Sequence, residues 1–85
     1  MNDLLGHLVV SLAGRDKDSI CAVVAMCEDE GYVYIADGRL RKVEHPKKKK
    51  LKPLNPIDWQ PLTAEKLTNR FIREAVNAYN EELPI

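Results

Sequence analysis

The sequence contains no long apolar run and only two cysteines, and both features limit what the protein can be. No stretch approaches the roughly 18 consecutive apolar residues that a membrane-spanning helix needs. Residues 1–5 have neither the basic start nor the apolar run of a signal peptide, so we expect a cytoplasmic protein that does not enter a membrane. Cys21 and Cys27 lie on one predicted strand, about 20 Å apart at strand rise, which is too far for a disulfide. We expect both thiols to be reduced and mostly buried.

Residue patterns typical of catalysis and of metal binding are also missing. The two histidines and the acids at 28–30 form no nucleophile–base pattern, and no Gly-rich phosphate-binding loop occurs. Two thiols without a nearby His or Cys partner do not form a zinc-binding pattern. We therefore expect a protein that is not an enzyme and that holds no metal or cofactor.

Net charge is zero, yet the charges are segregated along the chain. Residues 1–38 carry two cations against seven acids, residues 39–52 carry eight cations against Glu44 alone, and residues 53–85 carry three cations against five acids. This segregation predicts a basic strip on a neutral protein, and a basic strip favours an anionic partner.

The hydrophobic pattern predicts a small, mainly β domain. Eighty-five residues, 45% hydrophobic and 31% charged, are typical of one soluble globular domain, here residues 1–85. Alternation and turn signals predict short strands at 8–12, 20–27, 32–36 and 39–43. Strand 20–27 is apolar on both faces, so it needs cover on its outer side as well as a core within. The lysine run that follows the fourth strand is predicted to be a loop, with a short edge strand near Leu51.

The apolar periodicity changes from two residues to the helical repeat in the last third of the chain. Thr63 is a suitable helix N-cap, and Leu67, Phe71 and Ala75 recur at helical spacing. We expect a helix within residues 63–82 whose apolar face covers the outer side of strand 20–27. The predicted fold is therefore a small β-barrel with a C-terminal α-helix packed on it.

The segment Val9-Val10-Ser11-Leu12-Ala13-Gly14-Arg15-Asp16-Lys17 has the pattern of an apolar strand followed by a Gly-centred basic turn. Gly14 stands where the chain must reverse, and Gly takes positive φ without a steric penalty. This segment resembles the KOW motif, in which an apolar strand, a Gly, a basic turn and a returning apolar strand follow one another. The family usually has a second Gly after the lysine. Asp18 stands there, and Asp tolerates left-handed backbone better than most residues.

The resemblance covers residues 6–54. Further segments that carry it are Ala36-Asp37-Gly38-Arg39-Leu40-Arg41-Lys42-Val43-Glu44, Pro46-Lys47 and Leu51-Lys52. With these, the chain looks like the KOW-domain proteins related to large-subunit ribosomal proteins of archaea and eukaryotes, and especially like their small bacterial relatives. The resemblance does not reach the predicted helix from Thr63 onward.

This resemblance implies an SH3-like barrel of the KOW type over residues 6–54 and an association with RNA, ribosomal RNA first, and with ribosomal proteins. RNA binding needs cations that are fixed on a scaffold near the phosphates. The candidate RNA-binding residues are the cations of the turn, of the predicted fourth strand and of the lysine run: Arg15, Lys17, Arg39, Arg41, Lys42, Lys47, Lys48, Lys49, Lys50 and Lys52, with Gly14 and Gly38 as turn-forming residues.

Other interpretations of the same residues remain open. SH3-like barrels also dock proteins, in which case the apolar helix face or Trp59 forms the contact and the basic strip steers an acidic partner. Non-specific DNA binding is a third interpretation, and attachment to a membrane surface is a distant fourth because no lipidation motif accompanies the lysines. The lysine run could also be a solvated loop that protects a sheet edge. Tyr32 and Tyr34 could pack on the helix or stack on bases.

Overall fold

Five antiparallel strands form one sheet, and a C-terminal helix follows them along the chain. The structure is a computed structural model that describes residues 4–14 and 17–82. Its elements are β1 (Leu8–Ser11), β2 (Ile20–Met26), β3 (Tyr32–Ala36), β4 (Lys47–Lys50), β5 (Leu54–Pro56), a 3-10 turn (Ala64–Lys66) and helix α1 (Asn69–Glu82). The prediction of a mainly β fold with a C-terminal helix is confirmed.

The two outermost strands of the sheet are joined by a short connection, which forces the sheet to curl. The strand order is β4-β3-β2-β1-β5, and neighbouring strands pair antiparallel. A flat sheet of this order would separate its outer strands by about 19 Å. Only three residues intervene between Lys50 and Leu54, and a chain of that length spans at most about 14 Å. The sheet therefore closes toward a small barrel.

The inner side of the curled sheet holds the interior core. This core draws on β1, β2, β3 and β5, and its buried members are Val9, Cys21, Val23, Val33, Ile35 and Leu54. Leu4 and Leu51 pack against it from outside the strands. Residues of β3 and β5, which are not neighbours in the strand order, meet in this one cluster, so the core depends on the curl of the sheet.

Helix α1 covers the outer side of the sheet. Ile72 is fully buried against Leu8 and Ala22. The ring of Trp59 meets that of Tyr79 edge-on, with 5.6 Å between the centroids, so the connecting loop is packed down as well. The half-buried members of this outer cluster are Ile20, Val24, Val43, Ile57, Trp59, Leu62, Ala75, Val76 and Tyr79. The prediction that β2 is covered on both sides is confirmed.

The fourth strand does not lie where alternation predicts it. The prediction of a strand at 39–43 is wrong, and so is the prediction of a loop at Lys47–Lys50, because the four lysines form β4 and residues 39–43 belong to the loop before it. Four identical residues carry no alternation signal. In the structure Lys47 and Lys49 pair with Ile35 and Val33, which places them on the inner side, half-buried. Lysine suits such positions because its aliphatic stem covers apolar surface while its ammonium group reaches water.

Helix α1 begins later than predicted. Thr63 precedes the 3-10 turn, and its side chain makes no capping hydrogen bond. The hydroxyl of Thr68 accepts a hydrogen bond from the amide of Phe71 instead (3.3 Å), and α1 starts at Asn69. The helix still lies within the predicted range 63–82. Within the described part of the chain, no helix is long and apolar enough to cross a membrane.

Neither cysteine forms a disulfide, as predicted. Cys21 is buried in the interior core, whereas Cys27, one residue beyond the end of β2, is only half-buried. The expected burial is therefore confirmed for Cys21 and is wrong for Cys27.

Ile72→Ala should destabilise the fold strongly, because Ile72 is the buried residue of α1. Its removal leaves a cavity against the sheet, and we expect the free energy of unfolding to fall by about 2–5 kcal/mol. Urea denaturation followed by circular dichroism measures this change. Asn80→Gln, at an exposed position of the same helix, is the control and should change stability by less than about 0.5 kcal/mol. Equal losses in the two variants would contradict the packing of α1 on the sheet.

Candidate nucleic-acid interface

Residues 12–19, here called the Gly14 turn, connect β1 to β2. Gly14 has a φ of +80° and Asp18 a φ of +70°, so the left-handed backbone expected at both positions is confirmed. The amide of Asp18 donates to the carbonyl of Ser11 (2.7 Å), and the amide of Lys17 donates to the carbonyl of Gly14 (3.2 Å). These two bonds close the turn at its base and near its tip.

The Gly14 turn lies against the lysine strand β4. The amide of Leu12 donates to the carbonyl of Pro53 (2.8 Å), which ties the turn to the connection between β4 and β5. A Cβ atom on Gly14 would lie 3.5 Å from Nζ of Lys49, so an ammonium group of β4 is next to the turn. Two basic segments that are more than thirty residues apart in the sequence thus meet on one surface.

A shallow cleft of about 270 Å³ lies between the turn and the lysines, lined by Ala13, Gly14, Tyr32, Lys48, Lys49, Lys50 and Pro53. The Nζ atom of Lys48 is 4.9 Å from the centroid of the Tyr32 ring, a distance typical of cation–π contact. Lys48 also forms an ion pair with Asp29, and this hydrogen bond raises the pKa of Lys48 above its usual value. Lys48 is therefore already shared between an aromatic ring and a carboxylate.

The second tyrosine of β3 has a different environment. Tyr34 lines a separate cleft together with Met26, Cys27 and Asp29. A hydrogen bond with Cys27 is the main cause that raises the pKa of Tyr34 above its usual value. Neither Tyr32 nor Tyr34 belongs to the apolar cluster under α1 in the described chain. The interpretation in which the two tyrosines pack on the helix is therefore wrong.

Residues 37–42, here called the Leu40 loop, follow β3. The Asp37 carboxylate accepts hydrogen bonds from the amides of Arg39 (2.8 Å) and Arg41 (2.9 Å). The amides of Asp37 and Gly38 both donate to the carbonyl of Arg41 (2.9 and 3.0 Å). The loop is thereby closed on itself, and the side chain of Leu40 at its tip is 97% exposed.

Helix α1 holds the Leu40 loop from the side. The Arg73 guanidinium donates to the carbonyl of Gly38 (2.9 Å), and the Arg39 guanidinium donates to the side-chain oxygen of Asn77 (3.0 Å). Gly38 has a φ of +79°, and a Cβ atom there would lie 2.4 Å from the carbonyl oxygen of Asn69. Glycine is therefore required where the loop meets the helix.

Asn69 fastens the residues that follow the Leu40 loop. Its side-chain oxygen accepts a hydrogen bond from the amide of Val43 (2.9 Å), and its side-chain nitrogen donates to the Glu44 carboxylate (2.9 Å). The second bond is the main cause that lowers the pKa of Glu44 below its usual value. Asn69 therefore contacts both the backbone and the acid of this segment.

The Gly14 turn, the lysine strand and the Leu40 loop border one surface, here called the basic face. A cavity of about 130 Å³ lies between the loop and the start of β4, lined by Ser19, Cys21, Ile35, Asp37, Leu40, Arg41 and Lys47. Ser19 is the last residue of the Gly14 turn, so the turn reaches the Leu40 loop at this end and Lys49 at the other. The three segments are therefore continuous.

Five of the predicted binding residues line the cavity or the cleft of the basic face: Arg41, Lys47, Lys48, Lys49 and Lys50. Lys17 is exposed on the Gly14 turn. The side chain of Arg39 donates a hydrogen bond to Asn77 of α1, and Lys48 forms an ion pair with Asp29. Lys42 is exposed on the Leu40 loop, and Lys52 is exposed on the connection between β4 and β5. Arg15 lies outside the described residues.

Sequence reasoning missed the polar residues of α1 that hold the loop. Asn69, Arg73 and Asn77 recur every fourth residue, a spacing that places them on one stripe of a helix. The four-residue spacing is visible in the sequence, but it indicates only that the three residues share one face of the helix. It does not indicate which segment that face contacts. Within the described chain, no three His, Cys, Asp or Glu side chains are placed to hold a metal ion.

Comparison of the chain with protein-family models gives no match, and comparison with curated proteins gives no significant match.

Asn69→Ala should raise the pKa of Glu44 toward its ordinary value, because the variant removes the hydrogen bond that favours the charged carboxylate. A depressed pKa in the folded state stabilises the fold above the unfolded-state pKa, and this contribution is lost as pH falls through the folded-state pKa. A carbon-13 NMR titration of the Glu44 carboxyl measures the shift. Asn80→Ala is the control and should leave that titration unchanged, whereas an unchanged Glu44 in Asn69→Ala would rule out the contact.

Proposed function

We propose that this protein is an RNA-binding module of the KOW type that contacts RNA phosphates through the basic face. The convergence of the Gly14 turn with the lysine strand, where Nζ of Lys49 lies beside Gly14, is the observation that carries the proposal. Contacts to phosphates fix the position of a protein on nucleic acid and supply sequence-independent affinity. Ribosomal RNA is the partner that the KOW resemblance favours, with ribosomal proteins as neighbours.

The lysines of β4 suit this role better than the same residues in a mobile loop would. Each lysine of β4 is paired with a residue of β3. The backbone of all four lysines is therefore fixed before a ligand binds. The half-buried stems of Lys47 and Lys49 restrict these side chains further. Groups that are ordered in advance lose less conformational entropy on binding, so the strand supports tighter phosphate contacts per lysine.

The three segments of the basic face carry nine cations against three acids in the sequence, so positive charge predominates although acids are present. The Asp37 carboxylate accepts hydrogen bonds from two backbone amides, and the Glu44 carboxylate accepts one from the side-chain nitrogen of Asn69. Asp29 pairs with Lys48 and removes one cation from the set. Lys49 and Lys50 also line the cleft, so a phosphate chain that follows β4 meets a surface on which cations predominate.

Protection of the sheet edge is the simplest competing explanation for the lysines. β4 is an outermost strand, and lysine on an edge strand discourages pairing with another chain. Edge protection accounts for charge on β4, but it does not require the Gly14 turn to lie against the same strand. The two explanations predict different results when charge is removed.

A protein-interaction module is the alternative function, and the structure offers it less support. This alternative uses the apolar face of α1 or the ring of Trp59. The apolar face of α1 is packed on the sheet, and Trp59 is packed on Tyr79. Phe71 is 39% exposed, with the ammonium group of Lys66 5.8 Å from its ring centroid.

If the basic face contacts phosphates, RNA affinity must weaken steeply with salt, because each contact releases counterions. Single strands lose affinity with a log–log slope of roughly −0.7 per phosphate contacted, so about four contacts give a slope near −3. The double variant Lys17→Gln and Lys50→Gln should flatten that slope by about 1.4. Fluorescence anisotropy with ribosomal RNA fragments, and with DNA of the same sequence, measures affinity across a salt series.

A charge-matched control is available on the helical side of the molecule. Lys66→Gln with Arg70→Gln changes net charge by the same amount at exposed positions, and it should leave the slope nearly unchanged. Equal slopes in the two double variants would show that only net charge matters. Unchanged RNA affinity with lower solubility in the Lys17 and Lys50 variant would favour edge protection. No RNA affinity of the wild type at low salt would overturn the proposed function.

A further inference from the structure

Leu40 is exposed far beyond any other large apolar side chain in the described chain. Its side chain is 97% exposed, whereas Leu12, Met26 and Phe71 range from 39% to 53%. Single exposed leucines are common on protein surfaces and need no explanation by themselves. What distinguishes Leu40 is that the loop around it is braced by hydrogen bonds within the loop and from α1.

The hydrogen bonds of the Leu40 loop fix the backbone on both sides of its tip. Asp37 binds the amides of Arg39 and Arg41, which flank Leu40 directly. Arg73 of α1 holds the carbonyl of Gly38. A tip fixed in this way presents an apolar side chain without further loss of backbone entropy on binding, which is the condition for a pre-organised contact.

The surroundings of Leu40 are cationic. Arg39, Arg41 and Lys42 are its sequence neighbours, and the one acid of the loop, Asp37, uses a carboxylate oxygen to accept backbone amides. An apolar tip among cations fits a polyanion that also offers apolar faces, and RNA combines phosphates with the faces of its bases. Leu40 and Arg41 also border the cavity shared with Ser19 and Lys47, so the tip continues the basic face.

We infer that the Leu40 loop is a second contact with RNA, in which Leu40 packs against an unpaired base while Arg41 and Lys42 contact the adjacent phosphates. This contact rests on the proposed function and extends it to a class of RNA. Bases in a paired A-form helix are stacked and lie in grooves that side chains reach poorly, whereas unpaired bases expose their faces. Leucine is among the apolar side chains that insert between base steps of duplex DNA and partly unstack them, so contact between a leucine side chain and a base face is physically favourable.

The experiment compares Leu40→Asn and Leu40→Met with the wild type. The probes are an unstructured oligouridylate of about 20 nucleotides and a blunt RNA duplex of about the same length. We expect Leu40→Asn, which is similar in size but polar, to weaken binding to the single strand about five- to tenfold, because an apolar contact is lost. Leu40→Met should bind like the wild type. Duplex affinity and the salt slope should not change, since the phosphate contacts remain.

Phe71→Asn is the control, because Phe71 is a partly exposed apolar residue on α1 rather than on one of the three segments of the basic face. It should bind both probes like the wild type. Unchanged thermal unfolding of Leu40→Asn shows that the fold is intact, as expected for so exposed a side chain. Carbon-13 methyl NMR gives a direct readout: the Leu40 methyl signals should move upfield on addition of the single strand, because they then lie over an aromatic base.

Each result bears on one conclusion. Single-strand affinity unchanged in Leu40→Asn, with unshifted Leu40 methyl signals, overturns the Leu40 contact and leaves the proposed function standing if wild-type binding is salt-dependent. Equal weakening for the single strand and the duplex overturns the unpaired base as the partner of Leu40. Failure of the wild type to bind either probe at low salt overturns both the contact and the proposed function.

Discussion

The short connection between β4 and β5 is the constraint on which the rest of the structure depends. Because it joins the two outermost strands, the sheet must curl, and apolar residues of β3 and β5, which are not neighbours in the strand order, meet in one interior core. The same closure brings the turn after β1 onto the lysine strand, where Leu12 bonds to Pro53 and Gly14 lies next to Lys49. The interior core and the contact between the Gly14 turn and β4 therefore both depend on closure of the sheet.

Helix α1 serves the sheet and the loop with two different stripes of its surface. Its apolar stripe, centred on Ile72, seals the outer side of β1 and β2. Its polar stripe, formed by Asn69, Arg73 and Asn77, binds the Leu40 loop and the residues after it. Packing of the apolar stripe sets the position of the polar stripe, so the stability of the domain and the shape of its basic face are linked through one helix.

Lysine is used here for its stem as well as for its charge. Lys47 and Lys49 lie half-buried opposite Ile35 and Val33, and their stems extend the apolar inner side of the sheet. Their charge also marks β4 as an edge strand that resists pairing with another chain. The proposed binding of phosphates would use the same ammonium groups, so these roles do not compete for the residues.

Local patterns in the sequence determined β3, most of β2, the period of α1 and the left-handed positions at Gly14 and Asp18, because each depends on near neighbours. Segregation of charge into residues 39–52 was equally visible. Only the tertiary structure decided that the lysine run is a strand, because identical residues carry no period and pairing with β3 is a long-range contact. It also decided that Leu40 is exposed rather than part of a strand, since Asp37 and the distant Arg73 and Asn77 hold that loop by hydrogen bonds.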